Sequence, residues 1–138
     1  MADLNESWKL GEYRGENIFT EVVQYGDTIV AGDVVTITGR NSDGQLIVSK
    51  QTAKTRPYGI CPIKSDGVAG DVREILTRGP IKVTFGGAVT TGTPVGVTAS
   101  KFVAVVAASS SAVGISMTGT TANNDTGLIY FDFTGVVA

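Results

Sequence analysis

The feature that most constrains this chain is a corner written three times. Ala31–Gly32–Asp33–Val34–Val35 runs straight into the β-branched stretch Thr36–Ile37–Thr38 and stops at Gly39. The corner returns as Ala69–Gly70–Asp71–Val72 and, more loosely, as Thr91–Gly92–Thr93–Pro94–Val95. Glycine takes positive φ without steric cost, and an aspartate after it accepts a hydrogen bond from a nearby backbone N–H. The Val, Ile and Thr that follow favour a pleated, half-buried strand. Gly32, Asp33, Gly70, Asp71 and Gly92 are therefore expected as structural turn residues in a chain of short strands.

The remaining sequence agrees with that reading. Eighteen glycines against four prolines suit many tight turns. At 138 residues, with 42% hydrophobic and 17% charged side chains, the chain suffices for one domain with a real core. Strands are expected at Ile18–Val23, Thr28–Val30 and Asp33–Ile37, then after the Asn41–Gly44 hairpin turn at Gln45–Ser49. Pro57–Ile60 reads as an edge strand, because Pro57 and Pro62 remove ladder donors around it. Val72–Thr77 and Ile81–Phe85 read as two strands flanking Gly79–Pro80. Pro94–Thr98, Phe102–Ala107, Val113–Met117 and Leu128–Phe133 follow, the last after a polar loop from Thr118 to Thr126. Only residues 104–113 would accommodate a short helix.

Composition excludes much chemistry. Histidine is absent and Cys61 is the one cysteine, so His- or Cys-based metal sites, Ser-His-Asp and Cys-His nucleophiles and intrachain disulfides are ruled out. Cys61, inside Gly59–Ile60–Cys61–Pro62–Ile63, reads as a buried inert thiol. Asp27, Asp33, Asp66 and Asp71 could be paired for acid–base work, but all four sit in Gly-flanked turns, where a structural role is the ordinary one. The Asp66–Asp71 turn lacks the oxygen ligands of a calcium site. Net charge is −2 with the 11 Lys and Arg scattered, which gives no footprint for nucleic acid. The run Phe102–Ala108 is too short to cross a bilayer, and Met1–Glu6 lacks the pattern of a signal peptide. No enzymatic activity, cofactor, metal, nucleic acid or membrane partner is expected, and synthesis is placed in a cytoplasm.

Residues 1–16 differ from the rest: polar, charged and without a period. They read either as a frayed terminus or, more sharply, as an extended arm that docks into a neighbour, ahead of a single β domain, 17–138. Trp8, Leu10, Tyr13 and Ile18 are its candidate anchors, with Lys9 and Arg14 as rim charges, since a free tail gains nothing from a tryptophan. In Leu128–Phe133, Tyr130 and Phe131 point to opposite faces, of which only one can be core, so they are candidates for a subunit contact or, alternatively, for core packing against the other half.

The chain also repeats on a larger scale. Gly32–Asp33–Val34–Val35 leads through Leu46–Ile47–Val48 to Gly59–Ile60, a polar turn and Val72–Leu76. Gly92–Thr93–Pro94–Val95 leads through Phe102–Val105 to Gly114–Ile115, a polar turn and Leu128–Phe133. The expected fold is all-β: a small compact β-barrel or β-clip made from a duplicated unit. Over residues 17–135 this order of elements resembles the capsid cement or decoration proteins of tailed phages (the DUF2190 type). Thr93–Pro94 departs from that family's Asp-Val. The resemblance implies a fold and role similar to the trimeric head-stabilising proteins of lambdoid phages. It would make the chain a virion structural protein on the outer surface of the expanded head, at three-fold or quasi-three-fold points. Its partner would be the major capsid protein and its own state a homotrimer, without an active-site motif. An alternative reading, a carbohydrate-binding or adhesin-like β module, requires Tyr25, Tyr58 and Tyr130 to converge on an exposed face.

Overall fold

A computed structural model of the chain describes residues 8–15, 18–52, 56–104 and 112–136. Its regular elements are nine strands: β1 (Phe19–Tyr25), β2 (Val34–Arg40), β3 (Leu46–Lys50), β4 (Gly59–Ile60), β5 (Val72–Gly86), β6 (Pro94–Thr98), β7 (Lys101–Ala104), β8 (Ala112–Ser116) and β9 (Asn123–Val136). They form one sheet in the order β1-β3-β2-β4-β5-β7-β6-β8-β9, with β1 also pairing β5 and β5 also pairing β9. Each extra pairing closes a ring of five strands. Two small barrels thus share β5, and closure removes most of the edges an open sheet would expose.

The barrels are copies of one unit. In each, the first strand pairs parallel with the third, and the other pairings are antiparallel. Register carries over too. Val22↔Glu74, shifted by 60 and 54 positions, becomes Lys82↔Leu128, and Gln24↔Val72 becomes Thr84↔Thr126. The turns repeat their hydrogen bonds. The Gly32 N–H donates to the Cys61 carbonyl at 2.8 Å and the Gly92 N–H to the Ser116 carbonyl at 2.7 Å. Ile29 exchanges bonds with Gly67 as Val89 does with Thr120.

All three corner glycines take positive φ: Gly32 at 89°, Gly70 at 93° and Gly92 at 84°. The aspartates act as their chemistry requires. Asp33 Oδ2 accepts from the Val30 N–H and Asp71 Oδ2 from the Val68 N–H, both at 2.9 Å. The third corner has threonine there and keeps only the backbone bond from the Thr93 N–H to the Thr90 carbonyl.

Val23, Tyr25, Ile29, Val35, Val48, Cys61 and Ile75 fill the first barrel. Their counterparts Val83, Phe85, Val89, Val95 and Ile129 belong to the second cluster, with Phe102 and Phe131. A fully buried side chain of this kind contributes about 1.5–3 kcal/mol. Partly exposed ion pairs such as Lys50–Asp33 and Arg78–Asp132 contribute about 0–1 kcal/mol each. The two interiors therefore decide stability.

Several strands differ from the sequence expectation. β5 is continuous across Gly79–Pro80, because Gly79 bends it with a φ of 139°. Both backbone groups of Lys82 bond residues 11 and 12 on the edge away from β9, and Pro80 has the same orientation, so its missing N–H costs that ladder nothing. β4 is not an edge: it lies between β2 and β5 and is only two residues long. Of Thr28–Val30, only Ile29 forms a bridge, with Gly67. β9 begins at Asn123, inside the expected loop. Most of the stretch considered for a helix lies outside the described residues.

Gly59 and Gly114 are counterparts with one reason to be glycine. A Cβ would come within 2.8 Å of the Leu76 carbonyl oxygen at the first and of the Tyr130 carbonyl oxygen at the second. Gly59→Ala and Gly114→Ala should each lose about 1–3 kcal/mol in urea unfolding, as overpacked sites do. Gly39→Ala, with nothing within 4 Å of the new methyl, should stay within about 0.5 kcal/mol of the parent. A Gly114→Ala midpoint equal to the parent's would contradict the close approach.

Candidate interaction surface

The carboxylates considered for catalysis are engaged in holding turns. Asp33 and Asp71 cap their corners, Asp66 Oδ1 accepts from the Ala31 N–H at 2.9 Å, and Asp27 Oδ1 from the Lys50 N–H at 3.3 Å. Among the described residues no three His, Cys, Asp or Glu side chains group as a metal site. Cys61 is fully buried beside Tyr25, whose hydroxyl lies 3.5 Å from the sulfur and donates to the Ser65 carbonyl at 2.8 Å. Burial pushes the thiol up to about 11, the Tyr25 hydrogen bond acting against the shift, and burial raises the Tyr25 phenol as well. Cys61 is buried, as expected. With Tyr25 in the interior, the three tyrosines cannot form an exposed aromatic platform.

The described part of the expected arm, residues 8–15, is folded onto its own body. The Gly11 N–H donates to the Lys82 carbonyl, the Lys82 N–H to the Glu12 carbonyl, and Tyr13 bridges Ile81, so the segment adds to the edge of β5. The Ile63 N–H donates to the Gly11 carbonyl, tying the segment to the first barrel too. Trp8 is 9% exposed beneath the Arg14 guanidinium, 4.6 Å from the ring centroid, and Lys82 Nζ donates to its carbonyl. Tyr13 and Ile18 pack against the larger core cluster, and the Tyr13 hydroxyl reaches Glu74. Two hydrogen bonds close the turn itself: the Lys9 N–H and the Arg14 guanidinium both donate to the Glu12 carboxylate. Arg14 above all, then Lys9, hold that carboxyl below its usual range. Trp8, Tyr13 and Ile18 thus anchor the segment within the chain. Lys9, Leu10 and Arg14 face outward, with Leu10 against Gly32.

Of the pair in β9, Phe131 is fully buried, edge-on to Phe102, and Tyr130 lies half-buried on the outer face. Two surface features had no sequence signal, because they join residues distant in the chain. One is an open cleft of about 340 Å³ lined by Thr36, Ile37, Arg56, Pro57, Tyr58 and Phe133, where Tyr58 meets Phe133 edge-on. The other is exposed apolar surface, with Phe19, Val22 and Val72 on the first barrel and Ile115 and Met117 on the second.

No family model and no curated protein sequence matches this chain. Among solved structures it is similar to the N base of the head fiber gp8.5 of bacteriophage phi29, with a TM-score of 0.62 and 12% identity. The match covers 86% of this chain and 98% of that one. At that identity the likeness is one of fold.

Two measurements follow. Trp8 is the one tryptophan, so native fluorescence should be blue-shifted and move to the red as the segment leaves Lys82. Trp8→Ala should cost about 3 kcal/mol or more, and a water-like native emission would contradict the docked segment. For Cys61, the unfolded thiol ionises near its ordinary 9.0, whereas the folded one stays protonated to about 11. The unfolded state therefore binds fewer protons in that window, and stability should fall as pH rises from 9 to 11. Cys61→Ala should flatten the onset of that fall.

Proposed function

We propose that this protein is a structural component of a phage virion that decorates the outside of the head and stabilises the expanded shell. The observation that carries this reading is the fold likeness to a phage head fiber base over nearly the whole of that chain. The duplicated Gly-Asp corners that resemble head cement proteins support it independently. Such a protein needs no catalytic group. By binding the assembled, expanded lattice better than its free subunits, it stabilises that lattice by mass action.

In this reading the protein acts as a homotrimer at three-fold or quasi-three-fold points and contacts the major capsid protein. Trimerisation multiplies three weak contacts into avidity. The shell contact falls on the outward side of residues 8–15, through Leu10, Lys9 and Arg14. The inner side of that segment is committed to β5 and gives it a fixed shape, so less ordering entropy opposes binding.

Cosedimentation with expanded and unexpanded heads tests the proposal. The protein should pellet with expanded heads and raise their resistance to heat or chelator, and it should ignore unexpanded ones. Leu10→Asp should weaken binding about 30-fold or more, the size of a lost hot spot, with the native Trp8 emission intact. Equal affinity for both head forms, or for neither, would overturn the reading.

A further inference from the structure

We infer that residues 8–15 form a strap that opens as one piece while both barrels stay folded, and that the indole N–H of Trp8 sets how readily it opens. Trp8 is 9% exposed, and its Nε1, buried in the docked segment, has no hydrogen-bond partner among the described residues. No other buried side-chain nitrogen or oxygen among those residues is left so. A buried donor without an acceptor keeps its full desolvation penalty, which water removes on exposure. The docked strap thus carries a cost that opening relieves.

The grip on the barrels is short. Gly11 and Glu12 share two backbone bonds with Lys82, at 2.9 and 3.2 Å, and the Ile63 N–H adds one to the Gly11 carbonyl at 2.9 Å. Pro80, the next residue of β5 with the orientation of Lys82, has no N–H to carry that ladder further. Lys82 Nζ donates to the Trp8 carbonyl at 2.9 Å, and the Tyr13 hydroxyl meets Glu74 only at 3.4 Å. Inside the strap the contacts are more closely set. The Glu12 N–H donates to the Lys9 carbonyl at 2.9 Å, and the Glu12 carboxylate accepts from the Lys9 N–H at 3.0 Å and from Arg14 Nε at 2.6 Å. Arg14 also lies over the Trp8 ring. None of these contacts needs β5, so the turn leaves as a formed piece. Gly15 supplies a hinge: its φ is 121°, and among the described residues only the Pro80 ring, at 3.9 Å, lies near the place of a Cβ. Opening uncovers the Lys82 N–H and carbonyl and the Ile63 N–H together, so the strap covers a strand edge that the closed molecule does not present.

Native-state hydrogen exchange of the whole chain tests this. The Gly11, Lys82 and Ile63 amides should share one protection, about 100-fold or more below that of the ladder amides of Val83 and Ile129. Their common opening should depend only weakly on urea, since little surface is exposed. Replacing Trp8 by benzothienylalanine, in which sulfur stands in place of the indole N–H, keeps the shape of the ring and removes the donor. The three amides should then exchange about tenfold more slowly. Protection equal to that of Val83, or three unrelated values, would overturn the strap as a unit. Exchange that is unchanged or faster in the benzothienyl variant would overturn the inference as well, because the N–H would then be no penalty to the docked form.

Discussion

The fold depends on β5 serving two barrels at once. Its first half gives Ile75 to one interior, and its second half gives Val83 and Phe85 to the other. A strand of 15 residues cannot remain flat and do both. Gly79 takes the bend, at a φ that side chains rarely adopt, with Ile18 Cγ1 3.1 Å from where a Cβ would stand. Leu76 and Ile81, on either side of the bend, join one apolar cluster, so the junction is sealed by side chains of the strand that makes it. The two barrels are mechanically one body, because neither can rotate without breaking the β5 ladder.

Duplication then leaves a record of what each half needs. Tyr25 and Phe85 occupy the same place, as do Cys61 and Ser116. In the first barrel the phenol and thiol sit together, and the hydroxyl finds the Ser65 carbonyl. The second barrel has no buried phenol to satisfy there, and instead packs Phe102 against Phe85 and Phe131. The outer surfaces diverge further. Lys82 receives residues 11 and 12 on its backbone, while its counterpart Val22 carries an exposed apolar side chain and, among the described residues, no such segment. Sequence has drifted where the halves meet different neighbours and has held where both must turn.

That contrast explains what was legible. The corners could be read because their requirement is local: a positive φ followed by a short acceptor. The Asn41–Gly44 hairpin was legible for the same reason, with Asn41 Oδ1 accepting from the Asp43 and Gln45 N–H groups. The repeat was visible through Gly59 and Gly114, though their reason, the approach of a carbonyl on β5 or β9, is long-range. Continuity of β5 was not legible, since Gly-Pro is ordinarily a break and only the shared role of the strand overrides it. The second unit therefore begins earlier than the corner at Gly92 suggests, with Ile81–Phe85 as the counterpart of β1. Residues 8–15 were misleading in another way. Isolated aromatics in a polar run do indicate docking, but sequence cannot say onto what, and Trp8 and Tyr13 dock at home.

The four aspartates of the Gly-flanked turns share one structural task. Asp27, Asp33, Asp66 and Asp71 each accept from a backbone N–H, and moving one would release that N–H to no partner. Val34, Ile60 and Leu76 are sealed within the molecule, whereas their counterparts Pro94, Ile115 and Tyr130 lie on the outer face of the second barrel, so equivalent positions of the two units meet different surroundings.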